Sequence, residues 1–354
     1  VKTLRTTRGA LILLGTAQLA IGAAAIFARF ALTACGPLSA SALRLAIASS
    51  PIVAIAFARG AYARYDRATE RRLALASVAL AAHFALWLTS LQFASVAVST
   101  LLVCTTPVFA EAWTVIRTRT WRPLAAAGII TALAGVAIIV GVPSRTDTPL
   151  GIALAIGGAI AFAAYLLLVR ASDARYTTLA VIARTYPLAT VLLALAALAA
   201  HDRIPPLSAH LAWGGILAMA LGSQLFGHSA LNAAVRSLSA TLVGVTTLLE
   251  PVIAAVAAAL VFGERPAPFT AFGALVILTG IGLAIRDETR TAGYTGTMHD
   301  DTPTIGEQMN RGLYLDPAFT VDKPGLIDAL EDEIGETAER AKNAPHPPQP
   351  EDAP

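Results

Sequence analysis

Stretches of about 20 mostly apolar residues recur along the first four fifths of the chain, separated by short segments that carry Pro, Gly or Arg. A helix needs about 20 apolar residues to cross a bilayer. That ruler picks out ten spans, over residues 9–31, 38–58, 73–93, 96–116, 123–142, 150–169, 178–200, 211–232, 238–262 and 267–285. None alternates polarity with a period of two, so the spans are expected as helices rather than barrel strands. After residue 286 the pattern stops. "DETRTAGYTGTMHDDTPTIGEQ" and "KNAPHPPQPEDAP" are polar, acidic and Pro-rich, which predicts a disordered tail over 287–354. Within the tail, Leu326, Ile327, Leu330 and Ile334 share one face of a short amphipathic helix. Its acidic opposite face disfavours anionic lipid, leaving a solubilising tail or a protein contact. The fold class expected is all-α: a polytopic membrane protein with ten transmembrane helices.

The pattern also repeats. "LVCTTPVFAEAWTVI" places Pro107 inside the fourth span, and "VTTLLEPVIAAVAAALVF" places Pro251 inside the ninth, 144 residues later. Gly128 and Gly135 return as Gly273 and Gly280 at an offset of 145, and Arg44 returns as Arg184 at an offset of 140. Two five-span repeats are therefore predicted, 9–142 and 150–286. Five is odd, so the second copy enters the membrane from the opposite side. Inverted repeats of this kind are typical of secondary transporters, whose sites lie near the bilayer midplane between the repeats.

Composition agrees with the pattern: 56% of residues are hydrophobic and 14% charged, where soluble domains average roughly 45–50% and about 25%. The net charge of +3 conceals a division, because residues 287–354 hold fifteen of the 23 acids and five of the 26 bases. Arginines elsewhere cluster in alternate loops, at positions 59 to 72, 117 to 122 and 170 to 175, while the intervening loops hold Arg145, Arg203 and Arg265. The positive-inside rule then places both termini in the cytoplasm and the protein in the cytoplasmic membrane. The basic excess is an orientation signal, and nothing in it suggests a nucleic-acid groove. "LTAC", residues 32–35, is spelled like a lipoprotein box. The apolar run before it is nearly twice the length of a secretory h-region, so a retained signal-anchor helix is expected. Cys35 and Cys104 lack metal-site or disulfide spacing and are expected as buried fillers.

Charged groups inside spans are the candidates for function, since each costs roughly 2.5–3.5 kcal/mol at a helix centre on insertion scales. Four qualify: Arg44, Glu111, Arg184 and Glu250. Glu250 is the deepest, and Pro251 beside it frees a backbone carbonyl. Two readings stand side by side for it: a substrate or coupling carboxylate, or a fixed ion pair with an arginine. Gln224, His228 and Asn232 recur every four residues on the eighth span, as do His83 and Trp87 on the third. These faces either line a translocation cavity or join helices by hydrogen bonds. No second ligand lies at i+4 from either histidine, and no metal or cofactor is expected. No Walker loop, GxSxG or HExxH occurs, so nucleotide-driven pumping and the common hydrolase chemistries have no machinery here.

"GHSALNAAVRSLSATLVGVTTLLEPVIAAVAAALVFGERP", residues 227–266, resembles the second repeat of EamA-type transporters of the drug/metabolite transporter superfamily, through His228, Asn232, Glu250, Pro251, Gly263 and Glu264. "ASALRLAIAS" with Arg44 resembles the second helix of the first repeat. Two positions depart from the family: Ile21 and Gly22 stand where it often has Trp-Gly, and Arg119 stands near the counterpart of Glu264. The resemblance implies a secondary transporter, not an enzyme, that exports amino acids or other small metabolites. Alternating access is expected, with the first, third and fourth spans and their mates around the substrate, hinges at Pro107 and Pro251, and a proton as one coupling option. Two alternatives remain: a sensor or scaffold acting through the acidic tail, and a membrane transferase. The latter needs His83, His228 and Glu250 to converge, whereas their expected depths are spread.

Overall fold

The computed structural model describes residues 7–61, 66–140, 147–172, 176–253, 256, 260 and 269–297. Ten helices run through these residues, and no strand occurs among them. Helix α1 joins Thr7–Gly22 to Ala24–Ala31; α2 is Pro37–Ala58 and α3 is Arg67–Ser90. Helix α4 is broken into Val96–Val103 and Thr106–Thr118, and α5 is Pro123–Val140. In the second half, α6 is Pro149–Arg170, α7 is Thr178–Ala199, and α8 joins His210–Ala218, Met219–His228 and Ser229–Val235. Helix α9 runs over Ala240–Thr247 and resumes at 250–253, and α10 is Thr270–Thr297. Six helices, α1 to α4, α6 and α7, are long and apolar enough to cross a membrane, and the apolar parts of α5 and α9 are shorter.

Helix starts are written locally. The side chains of Asp66, Ser95, Thr148, Thr177 and Ser239 each accept the backbone N–H three residues on, and Pro37 opens α2. Each supplies an acceptor to a donor that the helix leaves unpaired. The surface is turned inside out relative to a water-soluble protein. Ile12, Leu19, Phe57, Ile116, Leu195 and Leu278 are more than half exposed, while Gln18, Arg44, Gln224 and Asn232 are fully buried.

The helices pair across the two halves: α2 with α7, α4 with α9, α1 with α8 and α3 with α6. Each of these pairs runs antiparallel. On α4 and α9, Cys104 meets Thr247, Pro107 meets Gly244 and Glu111 meets Thr241. Helices α5 and α10 pack through backbone. A Cβ on Gly128 would lie 2.8 Å from the Gly280 oxygen, and one on Gly135 would lie 2.7 Å from the Gly273 oxygen. The duplicated glycines therefore face each other, because only hydrogen permits so close an approach.

The breaks in α4 and α9 lie within the turn that precedes Pro107 and Pro251. They fall at Cys104–Thr105 and Leu248–Leu249, where each proline frees a carbonyl of the preceding turn. A proline removes the N–H that would bond the carbonyl four residues back, here Val103 and Thr247. Thr106 donates its hydroxyl to the Val103 oxygen at 2.8 Å, and the Cys104 thiol donates across to the Thr247 oxygen at 3.6 Å. Cys104 is thus more than the filler expected of it: it satisfies the carbonyl that the opposite helix's proline sets free.

Helix α10 also continues past the expected boundary at 286. Asp287 is bound by the Arg122 guanidinium, and Glu288 accepts the Ser239 N–H at 2.8 Å, so the first acids counted with the tail belong to the bundle. The amphipathic stretch at 326–334 lies outside the described residues.

Candidate functional site

Helices α1, α3, α4, α6, α8 and α9 line a small central cavity of about 30 Å³, room for a few water molecules at most. Ile21 and Ala24 line it from α1, His83 and Trp87 from α3, Cys104 and Thr106 from α4, Phe162 from α6, His228 from α8, and Thr247 and Glu250 from α9. His83, His228 and Glu250 therefore meet at one place, against the spread of depths expected from their positions in the chain. His83 comes from an unbroken α3, His228 from a π-turn of α8, and Glu250 from the residue after the break in α9. Met219–His228 is a π-helix, a rare geometry concentrated at functional sites, and it carries both Gln224 and His228.

Glu250 makes no hydrogen bond or ion pair with the described residues, and the nearest buried cation is committed elsewhere. Arg44 donates from Nη2 to Gln224 Oε1 at 2.9 Å and lies 4.3 Å from the centroid of the Phe84 ring. It influences Glu250 through space only. Among the described residues, no arginine forms an ion pair with Glu250.

The rest of the cavity wall is aromatic. His83 donates Nδ1–H to the Gly158 oxygen at 3.0 Å and stacks on Phe162 with centroids 4.4 Å apart. Trp87 stacks on the other side of His83 at 6.1 Å, and His228 meets Phe162 edge-on at 5.7 Å. Trp87 Nε1 and His228 Nδ1 are buried and have no hydrogen-bond partner among the described residues.

Below this cavity Asn232 ties three helices together. Tyr165 donates to Asn232 Oδ1 at 2.7 Å, and Asn232 Nδ2 donates to the Tyr186 hydroxyl at 3.1 Å and to the His228 carbonyl at 2.7 Å. Gln18 on α1 donates to Thr246 on α9 at 3.1 Å. Sequence reasoning passed over Gln18, Tyr165 and Tyr186. The signal available for them was the same one used for Asn232, a hydrogen-bonding group in an apolar run that must find a partner.

Two candidates sit away from the cavity. Arg184 binds Glu70 at 2.9 Å near the start of α3. Glu111 accepts from Thr241 at 2.7 Å and lies 3.7 Å from Arg122. Arg122 in turn binds Asp287 and approaches Glu288 at 3.7 Å. This network locks α4, α5, α9 and α10 at the arginine-rich end of the bundle. At the other end, Asp202 accepts from the Ser39 N–H at 2.8 Å and Asp147 from the Ser95 N–H at 2.6 Å. A larger hollow of about 450 Å³ lies beside Asp202, but alanine and leucine make up much of its wall and its carboxylate is already bonded. No group of three histidine, cysteine or acidic side chains among the described residues is placed to hold one metal ion.

The model of the EamA-like transporter family matches this chain twice, over residues 8–141 and 149–286. A solved structure described only as a crystal structure of protein superposes with a TM-score of 0.68 at 19% identity, over 81% of this chain and 99% of that one. At that identity the likeness is one of fold. No curated protein matches the chain by sequence.

Proposed function

The chain belongs to the EamA-like transporter family of multi-pass membrane proteins, and on that premise we propose that it is a secondary carrier that exports small metabolites by alternating access. The observation that carries this is Glu250, an unpaired carboxylate in a cavity lined by three helices from each half. The antiparallel pairing supports inverted repeats. Exchanging the halves turns the α1–α8 pair into α6–α3 and leaves α2–α7 and α4–α9 as pairs. A two-fold axis in the membrane plane would do the same.

In this proposal the repeats, 9–142 and 150–286, rock about the cavity. The breaks next to Pro107 and Pro251 serve as hinges, since their carbonyls are held by side chains that can exchange partners. The Arg122 network closes the arginine-rich end, which the positive-inside rule places in the cytoplasm with both termini. The Asp202 and Asp147 contacts close the other end. Glu250, His228, His83 and Trp87 meet the substrate, while Arg44, Gln224 and Asn232 hold the wall in shape. Arg184 and Glu111 act at the helix ends.

The experiment is an efflux and resistance screen of small amines and amino acids in cells expressing wild type or Glu250→Gln at equal levels. The proposal expects at least one compound to be exported by wild type and retained by Glu250→Gln. Equal export by both proteins would remove the carboxylate from the mechanism.

A further inference from the structure

We infer that the central cavity selects amines that carry no carboxylate. This rests on the cavity being the substrate site and names the chemical class it would take. A buried site must match the charge it encloses, because an unpaired charge loses its hydration without compensation. Glu250 has no hydrogen-bond or ion-pair partner among the described residues, and Arg44 reaches it through space only, so a ligand ammonium would supply the direct partner that an ionised carboxylate there needs. An amino acid would bring a carboxylate as well, and that group needs a cation, which none of the described residues lining the cavity supplies. Arg44 is taken by Gln224 and Phe84 and does not line the cavity; Arg184 and Arg122 are bound to acids at the arginine-rich end.

The walls point the same way. Trp87, His83 and Phe162 form a continuous aromatic stack beside the carboxylate. Aromatic faces attract ammonium groups, and the rings together with Ile21, Ala24 and Val103 give an apolar lining for a hydrocarbon body. With His83 Nδ1–H donated to the Gly158 oxygen, the neutral ring keeps Nε2 as a further acceptor for an N–H. The cavity is too small for such a ligand as it stands, so entry requires the two halves to part.

The test uses four probes that share one body and differ in charge: 2-phenylethylamine, phenylalanine, 3-phenylpropionate and 2-phenylethanol. Binding of each to the full-length protein in lipid nanodiscs is measured by calorimetry. The inference expects 2-phenylethylamine to bind at least tenfold more tightly than any of the other three. It also expects Glu250→Gln, shown by size-exclusion chromatography to be intact, to lose that advantage. Equal or tighter binding of phenylalanine or 3-phenylpropionate overturns it, as does equal binding of the uncharged alcohol, which needs no variant. Absence of binding by all four also overturns it. The carrier proposal is judged separately, by two-sided labelling of Ala24→Cys, which needs no ligand.

Discussion

Arg44 donates from Nη2 to Gln224 Oε1 at 2.9 Å and reaches Glu250 through space only, with no ion pair between them. The arginine is fully buried, stacks on Phe84, and has one further contact at Met219 Sδ, 3.9 Å away. A guanidinium in that position is held by very few groups. Gln224→Leu is expected to lower the unfolding temperature clearly, because removing the partner of a buried charge costs about 3–5 kcal/mol. Gln224→Leu combined with Arg44→Met should recover part of the loss. Thermal unfolding in detergent checks both, and a double variant no more stable than the single one would contradict the assignment.

Asn232 bonds two tyrosine hydroxyls and a carbonyl at once. Asn232→Leu removes one hydrogen bond from each of Tyr165 and Tyr186 in a buried site, at up to about 1–3 kcal/mol for a group left unsatisfied. Tyr165→Phe removes one donor and should cost less. A thermal-shift ranking of Asn232→Leu below Tyr165→Phe below wild type is expected.

The duplicated glycines make a sharper contrast. Gly135→Leu or Gly280→Val must push α5 and α10 apart, and overpacking of this kind costs about 1–3 kcal/mol or more. Gly214 and Gly222 have open space where a Cβ would go. Gly222→Ala is expected to express and unfold like wild type, whereas Gly135→Leu should yield little folded protein on size-exclusion chromatography.

Cys35 lies between α1 and α2, buried beside Asp202, and burial first and that carboxylate second push its thiol up to about 12. The reactive thiolate is then a minute fraction at pH 8. Folded protein is expected to leave Cys35 unlabelled by N-ethylmaleimide at pH 8, with labelling appearing on denaturation, as mass spectrometry would show.

How much of this was legible in the sequence depends on what each feature needs. Ten helices follow from apolar length alone, and the pairs Gly128 with Gly273 and Gly135 with Gly280 announce a duplicated contact because close packing leaves a residue-type mark. The faces of His83 with Trp87 and Gln224 with His228 follow from helical spacing. The meeting of His83, His228 and Glu250 does not, because it joins three helices far apart in the chain, one of them at a π-turn whose sequence has no signature. Cys104 as a cap for the Thr247 carbonyl is equally hidden, since it joins residues 143 apart. Asp287 and Glu288 look like the start of an acidic tail by composition; only their contacts with Arg122 and Ser239 return them to the bundle.

Arg122 is the hub of the closure at the arginine-rich end, binding Asp287 and lying 3.7 Å from both Glu111 and Glu288. If that network is a latch, Arg122→Gln favours the form open at that end. Labelling of Ala24→Cys by a membrane-impermeant maleimide from that side should then rise severalfold, and an unchanged rate would make the network a plain structural tie.

Alternating access is tested most directly by that same cysteine. Ala24 lines the cavity on α1 and is nearly fully buried. Ala24→Cys in a Cys35→Ala, Cys104→Ala background is reconstituted, and a membrane-impermeant maleimide is applied to right-side-out and to inside-out vesicles in separate experiments. A carrier whose halves rock about this cavity exposes position 24 to each side in turn, so slow labelling is expected from both. Labelling from one side only, or from neither, would contradict the account.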